Sequence, residues 1–436
     1  MKFNIDIERT ADAEPDDPHG IAIAADEHVF TRLLRGESNT IKTHLLARPA
    51  QLAFWFIDNW WRLRWESMPA EGVTPHWRLA HDVSGIGGGT IWPRLLMWGE
   101  GQRMGLSATR DAIGVVGPVR FIENGLSFIP ADEWEVGVDR FIEEVRDELY
   151  GFGSDRAALR VQLSALREEQ GDPQIAAWRR VEARLGFDVD QAPDALMEAL
   201  FKFADEFDES GMEEAIQAAP GLPAAEILRA GVEAAHASRL MCHFNAAQGA
   251  AGTIHWSGQT PVWEPAERAA SDVRRAAGHT YGPLRNRDLA QILGVSLAAL
   301  NSTESAPAAD LPYGLRLTNS KKGDGSQVIA LRSRRSHDRR FETARALGDT
   351  IWAGVGALGP LARTKTDRQR FQRAFAQSLL CPFDELKEFI EKNGSDDEGI
   401  MAAAHYYHVN TKVIERTLVK KKVLPARRFE DLIEAA

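Results

Sequence analysis

The chain has 436 residues and a net charge of −11, with 44% hydrophobic and 26% charged residues, as in a globular protein of two to four domains. No apolar run approaches the roughly 18 residues needed to cross a membrane, and the N-terminus lacks the apolar segment of a signal peptide. Two cysteines, Cys242 and Cys381, are too few for a disulfide framework or a four-cysteine zinc site, so we expect a cytoplasmic bacterial protein.

The charge is unevenly distributed along the chain. Residues 316–436 contain 23 Lys+Arg and 16 Asp+Glu, a net charge of +7. The remainder of the chain contains 29 Lys+Arg and 47 Asp+Glu, a net charge of −18. This asymmetry places any nucleic-acid contact near the C-terminus. The alternative is that both charged surfaces are simply solvated.

Residues 1–150 are predicted to form a mixed α/β domain. Eight of the twelve tryptophans lie here. A helix is expected at Glu135–Leu149, where apolar residues recur at helical spacing. Short runs of alternating polarity predict strands at Lys2–Ile7, Trp61–Glu66, Gly114–Val116 and Leu126–Ile129.

Three features of this first domain could carry function. The run Trp60–Trp65 alternates aromatic residues with arginines, as in a platform for single-stranded nucleic acid, although a strand that buries tryptophans is the commoner use. Gly85–Thr90 is glycine-rich but lacks the lysine of a P-loop, which favours a tight turn. An enzyme site near His76, His81 and Asp82 is the third alternative.

Residues 151–255 are predicted to form a helical domain. Alanine- and leucine-rich segments recur between breakers such as Gly171-Asp172-Pro173. The stretch Asp188–Glu214 is strongly acidic, which is typical either of a solvated helix face or of a surface for a basic partner.

Residues 262–436 are predicted to form a mainly α-helical domain with a small sheet. A strand is expected at Gln327–Leu331 and a helix at Arg339–Trp352. The helix contains Arg340-Phe341-Glu342-Thr343-Ala344-Arg345-Ala346-Leu347-Gly348-Asp349. A later segment reads Gln369-Arg370-Phe371-Gln372-Arg373-Ala374-Phe375-Ala376-Gln377-Ser378-Leu379-Leu380-Cys381-Pro382.

These two segments resemble the motifs of the ImmA/IrrE family of bacterial zinc peptidases. The family helix typically reads Arg-Phe-x-x-Ala-His-Glu-Leu-Gly-His, and its second motif is Glu-x-x-Ala-Asn-x-Phe-Ala-x-x-Leu-Leu-Met-Pro. On this alignment the zinc histidines fall on Arg345 and Asp349, and the catalytic glutamate falls on Ala346. The third ligand falls on Gln369, and Arg373 replaces a polar residue near the metal.

The replacements do not suit zinc chemistry. Two histidines at i and i+4 share one helical face and can bind one Zn²⁺, and the intervening glutamate is the general base. Arg345 has no lone pair to donate, and Ala346 cannot accept a proton. We therefore expect neither metal nor cofactor. We hypothesise instead that Arg345 and Asp349 pair with each other across this site, and that Arg373 joins them.

The C-terminal segment predicts two helices, Gly399–Tyr407 and Thr411–Lys420, with Asn410 as the N-cap of the second. Such a pair could place Thr411, Lys412 and Arg416 in a major groove, with Lys420-Lys421-Lys422 on phosphates. Alternatively, the pair packs on the domain and its lysines are solvated.

The sequence therefore predicts an α+β protein with a mixed N-terminal domain, a helical middle and a C-terminal zincin-like domain without its metal. The resemblance implies a non-catalytic regulator or adaptor with a protein partner, in phage defence, stress or mobile-element regulation. A DNA-binding transcriptional regulator and an enzyme with an N-terminal site are the alternatives.

Overall fold

The computed structural model describes residues 2–10, 17–36, 40–70, 72–112, 117–149, 154–244, 254, 256–302, 306–318 and 325–425. The fold is α+β, with 52% helix and 15% strand. Within the described ranges, the strands form four small antiparallel sheets. No helix in these ranges has the length and apolar character needed to cross a membrane.

The chain divides into two compact units. Unit 1 comprises Met1–Ala192 and Ser257–Gln259, and unit 2 comprises Pro193–Trp256 and Thr260–Ala436. The segment predicted as a helical domain, residues 151–255, is divided between them.

Unit 1 contains three of the sheets. Their orders are β1-β2-β3 with β6 also on β2, β10-β8-β7, and β5-β4-β9. The strands are β1 (Phe3–Glu8), β2 (His19–Ala25), β3 (His28–Val29), β4 (Leu33–Arg35), β5 (Thr40–Lys42), β6 (Leu45–Ala47), β7 (Leu95–Gly99), β8 (Arg103–Ala108), β9 (Val119–Phe121) and β10 (Gly125–Pro130). The helices are α1 (Pro49–Trp65), α2 (Pro75–His81), α3 (Ala131–Glu144), α4 (Ser154–Gly171) and α5 (Pro173–Arg184).

The sequence predictions for unit 1 have mixed outcomes. Strands β1 and β10 confirm two of the four predicted strands, and α3 confirms the predicted helix, which continues as a π-helical turn at Val145–Leu149. The strand predicted at Gly114–Val116 lies outside the described residues.

The strand predicted at Trp61–Glu66 is wrong, because this segment ends helix α1. The helix begins with Pro49 in its first turn and buries residues on nearly all sides, including Leu52, Phe56 and Trp60. A helix that is buried on all sides has no clear amphipathic stripe. The alternating aromatic and charged residues of its last turn therefore resemble the pattern of a strand.

Unit 2 consists of helices around one four-stranded sheet of order β11-β13-β12-β14. Its strands are β11 (Met241–Cys242), β12 (Gly314–Thr318), β13 (Gln327–Ala330) and β14 (Gly359–Leu361). The helices are α6 (Asp194–Glu206), α7 (Glu209–Ala218), α8 (Ala224–Ala237), α9 (Trp263–Ala276), α10 (Asn286–Leu293), α11 (Leu297–Asn301), α12 (Ser336–Ala353), α13 (Asp367–Leu380), α14 (Phe383–Asn393), α15 (Asp397–Tyr407) and α16 (Thr411–Lys420).

Strand β13 and helix α12 confirm the strand and helix predicted from the sequence of this region. The centre of unit 2 is the pair α12 and α13, whose apolar residues belong to one buried cluster. Gly348 permits their close approach, because a Cβ atom at this position would lie 2.8 Å from Cδ1 of Phe375. The glycine at position 348 is therefore explained by the close packing of α12 against α13.

Candidate functional site

Helix α12 carries Asp349 into the interior of unit 2, where its carboxylate is fully buried. Arg316 donates to Oδ2 from Nε at 3.0 Å and from Nη2 at 2.6 Å. Arg368 donates from Nε to Oδ1 at 2.7 Å and from Nη2 to Oδ2 at 3.1 Å. Gln372 donates to Oδ1 at 2.6 Å. Both carboxylate oxygens are therefore saturated by protein donors.

The electrostatic balance at Asp349 favours its ionised form. Burial alone would raise the pKa of the carboxyl group, but the charges and hydrogen bonds of Arg368 and Arg316 outweigh burial and lower the pKa to about 2. Both guanidinium groups are themselves buried, at 3% and 0% side-chain exposure. The three groups form a buried ion-pair cluster of two guanidinium groups and one carboxylate, whose net positive charge disfavours a metal cation.

Arg345 lies one helical turn before Asp349 and is also buried. Its Nη2 donates to the carbonyl oxygen of Ala362 at 2.6 Å, to Gln369 Oε1 at 2.7 Å and to Gln372 Oε1 at 3.0 Å. Because Gln372 accepts from Arg345 and donates to Asp349, this amide bridges the two side chains. The direct Arg345–Asp349 pair that we hypothesised is wrong.

The physical reason is that Asp349 has stronger partners from other elements. Arg316 comes from β12 and Arg368 from the first turn of α13, and each reaches the carboxylate with two nitrogen donors. Arg345, four residues before Asp349 on the same helix, donates instead to Ala362, Gln369 and Gln372. Burial lowers the pKa of Arg345 to about 10, so it remains protonated at neutral pH.

Arg373 does not join this cluster. Its Nη1 donates to the carbonyl oxygen of Thr364 at 2.9 Å, and its side chain lines a pocket elsewhere in unit 2. At 100° per residue, Arg373 lies on a different face of α13 from Arg368 and Gln372. The prediction that it joins Arg345 and Asp349 is therefore wrong. Ala346, at the position of the family's catalytic glutamate, is fully buried within the apolar core.

Helix α7 supplies an outer layer to the cluster. Glu214 accepts from Thr366 Oγ1 at 2.8 Å and from Gln369 Nε2 at 3.3 Å, and Ser210 accepts from Arg368 Nη1 at 3.2 Å. The sequence reasoning missed Arg316, Arg368, Gln372 and Glu214, because a motif alignment identifies only the positions that the family uses as ligands. One local signal for two of these residues was present, because Arg368 and Gln372 lie close in sequence to Gln369, the position of the family's third ligand, on the same helix.

The residues at this site do not fit a zinc ion. Zinc requires imidazole, thiolate or carboxylate lone pairs, and here the one fully buried carboxylate is occupied by two arginines. A cation placed at Asp349 would be repelled by both guanidinium groups. Across the described ranges, no group of three or more His, Cys, Asp or Glu side chains is arranged to hold a metal.

The C-terminal helices α15 and α16 form the predicted pair. Asn410 accepts from Lys412 N at 3.0 Å, which confirms it as the N-cap, and His408 ends α15 in the left-handed region with φ of 54°. Thr411 is half-buried, and Lys412 and Arg416 are exposed.

The lysines at the end of α16 have different environments. Lys421 donates to Glu267 at 2.8 Å and lies 4.4 Å from the ring centre of Trp263. Lys420 lies 4.9 Å from the same ring, and Lys422 is exposed. Two of the three lysines thus contact Trp263 of α9 and are not simply solvated, as the packed alternative had expected.

The N-terminal candidates have structural partners within unit 1. His81 is fully buried, contacts Glu66 Oε2 at 3.0 Å and the carbonyl oxygen of Met97 at 2.7 Å, and stacks on Trp77. Asp82 pairs with Arg78 at 3.0 Å and accepts from Ser84 N at 3.1 Å.

The remaining features of unit 1 also contribute to packing. His76 contacts the carbonyl oxygen of Gly186 at 3.0 Å. Gly88 and Gly89 have positive φ angles of 86° and 81° in a turn, as the glycine run predicted. In the Trp60–Trp65 segment, Trp61 donates to Glu169 at 2.8 Å.

Comparison with known proteins gives no relative from which to transfer a function. No protein-family model, no curated protein and no solved structure matches this chain.

Proposed function

We propose that this chain is a non-catalytic regulator or adaptor, built on a zinc-peptidase scaffold of the ImmA/IrrE type whose metal is replaced by an ion-pair cluster. The observation that carries this proposal is the environment of Asp349. Its two oxygens are held by Arg316 and Arg368 in the place where the family motif puts its second zinc histidine.

The absence of a general base supports the same proposal. Zinc peptidases activate water with a glutamate between the two histidines, and the corresponding residue here is Ala346. Its methyl group is buried among apolar residues of α12 and α13, so no side chain at this position can take up a proton. The scaffold would therefore bind a partner without cleaving it.

The cellular setting follows from the resemblance alone. The ImmA/IrrE family is associated with the control of repressors in mobile elements, stress responses and phage defence. By analogy, this chain would act on a protein partner in such a system. The acidic residues around α6 and α7, where Asp205, Glu206 and Glu209 are exposed, offer a surface for a basic partner.

A cleavage assay tests the non-catalytic proposal. The purified protein would be incubated with a proteome-derived peptide mixture, with added zinc or with chelator, and new peptide termini would be counted by mass spectrometry. We expect the same termini under both conditions. Zinc-dependent termini that appear with this protein, and are absent from a matched incubation without it, would overturn the proposal.

DNA binding through α15 and α16 is the second candidate, favoured by the capped helix pair and its exposed cations. Phosphate contacts by lysine give affinity that falls steeply with salt. If this candidate holds, Lys412→Gln and Lys422→Gln would weaken duplex binding and reduce its salt dependence in gel-shift series. Lys387→Gln, which removes an exposed lysine of α14, is the matched control. Equal shifts for all three variants would exclude the helix pair as the contact.

A further inference from the structure

Three aromatic rings of unit 2 reach solvent together where α14 and α15 lie beside the segment that precedes α10. Tyr281 in that segment is 70% exposed, Tyr406 of α15 is 43% exposed, and Phe389 of α14 is half-buried. The rings of Phe389 and Tyr406 stack, with their centres 5.2 Å apart. We call these three side chains the aromatic patch. Aromatic residues are enriched at surfaces that bind other proteins.

Polar contacts hold Tyr281 against α14. Its hydroxyl group donates to Glu388 Oε2 at 3.3 Å, and the backbone N–H of the next residue, Gly282, donates to Glu385 at 2.8 Å. The charge of Glu388 and its hydrogen bond raise the pKa of Tyr281, and Glu385 and Tyr406 raise it further. Tyr281 therefore lies close to Tyr406 as well as to Glu388. A ligand meets a patch that is already assembled, which lowers the entropy cost of binding.

Carboxylates of α14 border the aromatic patch. Asp384 and Glu388 are exposed and four residues apart, so they share one face of the helix. Neither forms an ion pair with any described residue, whereas Lys387 pairs with Glu391 at 3.9 Å. The other cation of α14 is Lys392, at its C-terminal end. The patch therefore combines the negative faces of aromatic rings with negative charge, and a cation complements both.

Arginine is the cation that fits this combination best. Its planar guanidinium group stacks on aromatic faces and presents a fork of donors to a carboxylate, whereas the ammonium group of lysine is a compact, strongly hydrated point charge. Tyr281 and Tyr406 are the more exposed rings and supply the faces. Glu388 supplies the carboxylate, because Glu385 is already paired with Arg274 at 3.7 Å.

We propose that the aromatic patch docks an arginine side chain from a basic segment of a protein partner. The guanidinium group lies against the rings of Tyr281 and Tyr406 and donates to the carboxylate of Glu388. Asp384 attracts further basic residues of the same segment. This proposal rests on the proposed function for the existence of a protein partner, and it adds the surface and the chemistry that recognise that partner. It does not rest on the loss of the metal, so a positive cleavage assay would leave it standing.

Fluorescence anisotropy with labelled peptides tests the proposal on the full-length protein at constant ionic strength. The probes are short glycine-serine peptides that carry arginine, lysine or neutral citrulline at the same positions. We expect the arginine peptide to bind about fivefold more tightly than the lysine peptide, because only the guanidinium group both stacks on rings and forks onto a carboxylate. The citrulline peptide should not bind, since it carries no charge.

Variants at exposed positions locate the contact. Tyr281→Ala and Glu388→Gln should each weaken the arginine peptide about fivefold, because one removes a ring face and the other removes the charge of the carboxylate. Leu222→Ala removes another exposed apolar side chain of unit 2, and Asp205→Asn removes an exposed carboxylate of α6. Both of these matched controls should leave the affinity unchanged.

Four results would overturn the proposal. The first is the absence of arginine-peptide binding by the wild-type protein. The second is equal affinity for the arginine and lysine peptides, which would assign the interaction to charge alone. The third is equal affinity in wild type, Tyr281→Ala and Glu388→Gln. The fourth is a loss of affinity in Asp205→Asn but in neither variant of the patch, which would assign basic peptides to the acidic surface of α6 and α7.

Discussion

At the scale of single residues, Asp349 and Lys420 are two charged side chains of unit 2 whose surroundings have opposite effects on the charged form. Asp349 is surrounded by five donors from three side chains, whereas Lys420 has an aromatic ring and like charges nearby. The first arrangement stabilises the ionised side chain in the fold. In the second arrangement, Glu267 and Trp263 offset burial only in part, and the pKa of Lys420 falls to about 7. The two predictions that follow have opposite signs.

Asp349→Asn should destabilise unit 2 strongly, because it leaves Arg316 and Arg368 buried without their counter-charge. Removing one partner of a buried ion pair typically costs about 3–5 kcal/mol. Hydrogen exchange of the α12 amide groups would measure the free energy of opening in unit 2 specifically. Asp205→Asn, an exposed change on α6, should alter it by less than about 0.5 kcal/mol. A change of less than about 1 kcal/mol in Asp349→Asn would show that the cluster contributes little to the stability of unit 2.

Lys420→Met should stabilise unit 2, and the gain should depend on pH. The folded-state pKa of Lys420 lies at about 7, below its ordinary value of 10.5, so the unfolded chain binds the extra proton between these values. The penalty of the charged lysine is therefore complete below about pH 7 and declines as the pH rises towards 10.5.

Chemical denaturation of both proteins from pH 6 to pH 10 measures this difference. Glu267, Lys421, Arg370 and Arg373 are present in both, so their contributions cancel to first order. A stability difference that is constant with pH, or a destabilised variant at pH 6, would contradict the assigned environment of Lys420.

At the scale of elements, the site depends on how closely β14 approaches α12. A Cβ atom on Gly359, the first residue of β14, would overlap the carboxylate of Asp349 and the guanidinium of Arg316. Gly356 precedes it by three residues, and a Cβ atom there would meet nothing within 4 Å. The two glycines therefore form a matched pair in one connection.

Gly359→Ala should destabilise unit 2 by about 1–3 kcal/mol, the usual cost of overpacking, whereas Gly356→Ala should change its stability by less than about 0.5 kcal/mol. Thermal unfolding of the two variants beside wild type makes the comparison. Equal midpoints for the two variants would place the ion-pair cluster further from β14 than described.

The elements that could be predicted from the sequence are those with local signals. Helical spacing identified α3, and an asparagine cap identified the start of α16. The family motifs, rather than a local signal, located α12 and β13. The partners of Asp349 could not be predicted in this way. Arg316 lies 33 residues before it on a strand, and nothing near either residue specifies that they meet. Only the tertiary packing of β12, α12 and α13 brings the cluster together.

The error in α1 has a related cause. Trp60, Trp61 and Trp65 alternate with Arg62 and Arg64. Arg62 pairs with Glu66 at 2.7 Å within the same segment and with the distant Asp188 at 2.9 Å. Arg64 pairs with the distant Glu135. The alternation of aromatic residues and arginines over this short segment therefore resembled the pattern of a half-exposed strand. A long helix that buries its arginines in ion pairs cannot be distinguished from it without knowing those partners.

At the scale of the whole molecule, unit 2 has a core in which an ion-pair cluster joins β12, α12 and α13. The central claim is that this core needs no metal. A zinc-dependent scaffold loses folding free energy when its ion is removed, because binding energy contributes directly to stability. A scaffold held by Asp349, Arg316 and Arg368 has no such dependence.

The most direct measurement is the metal content of the purified protein together with its unfolding midpoint in chelator, in buffer and in added zinc. We predict well under one zinc per chain and the same midpoint for unit 2 in all three conditions. One tightly held zinc per chain, with a midpoint that falls in chelator and recovers when zinc is restored, would contradict the account.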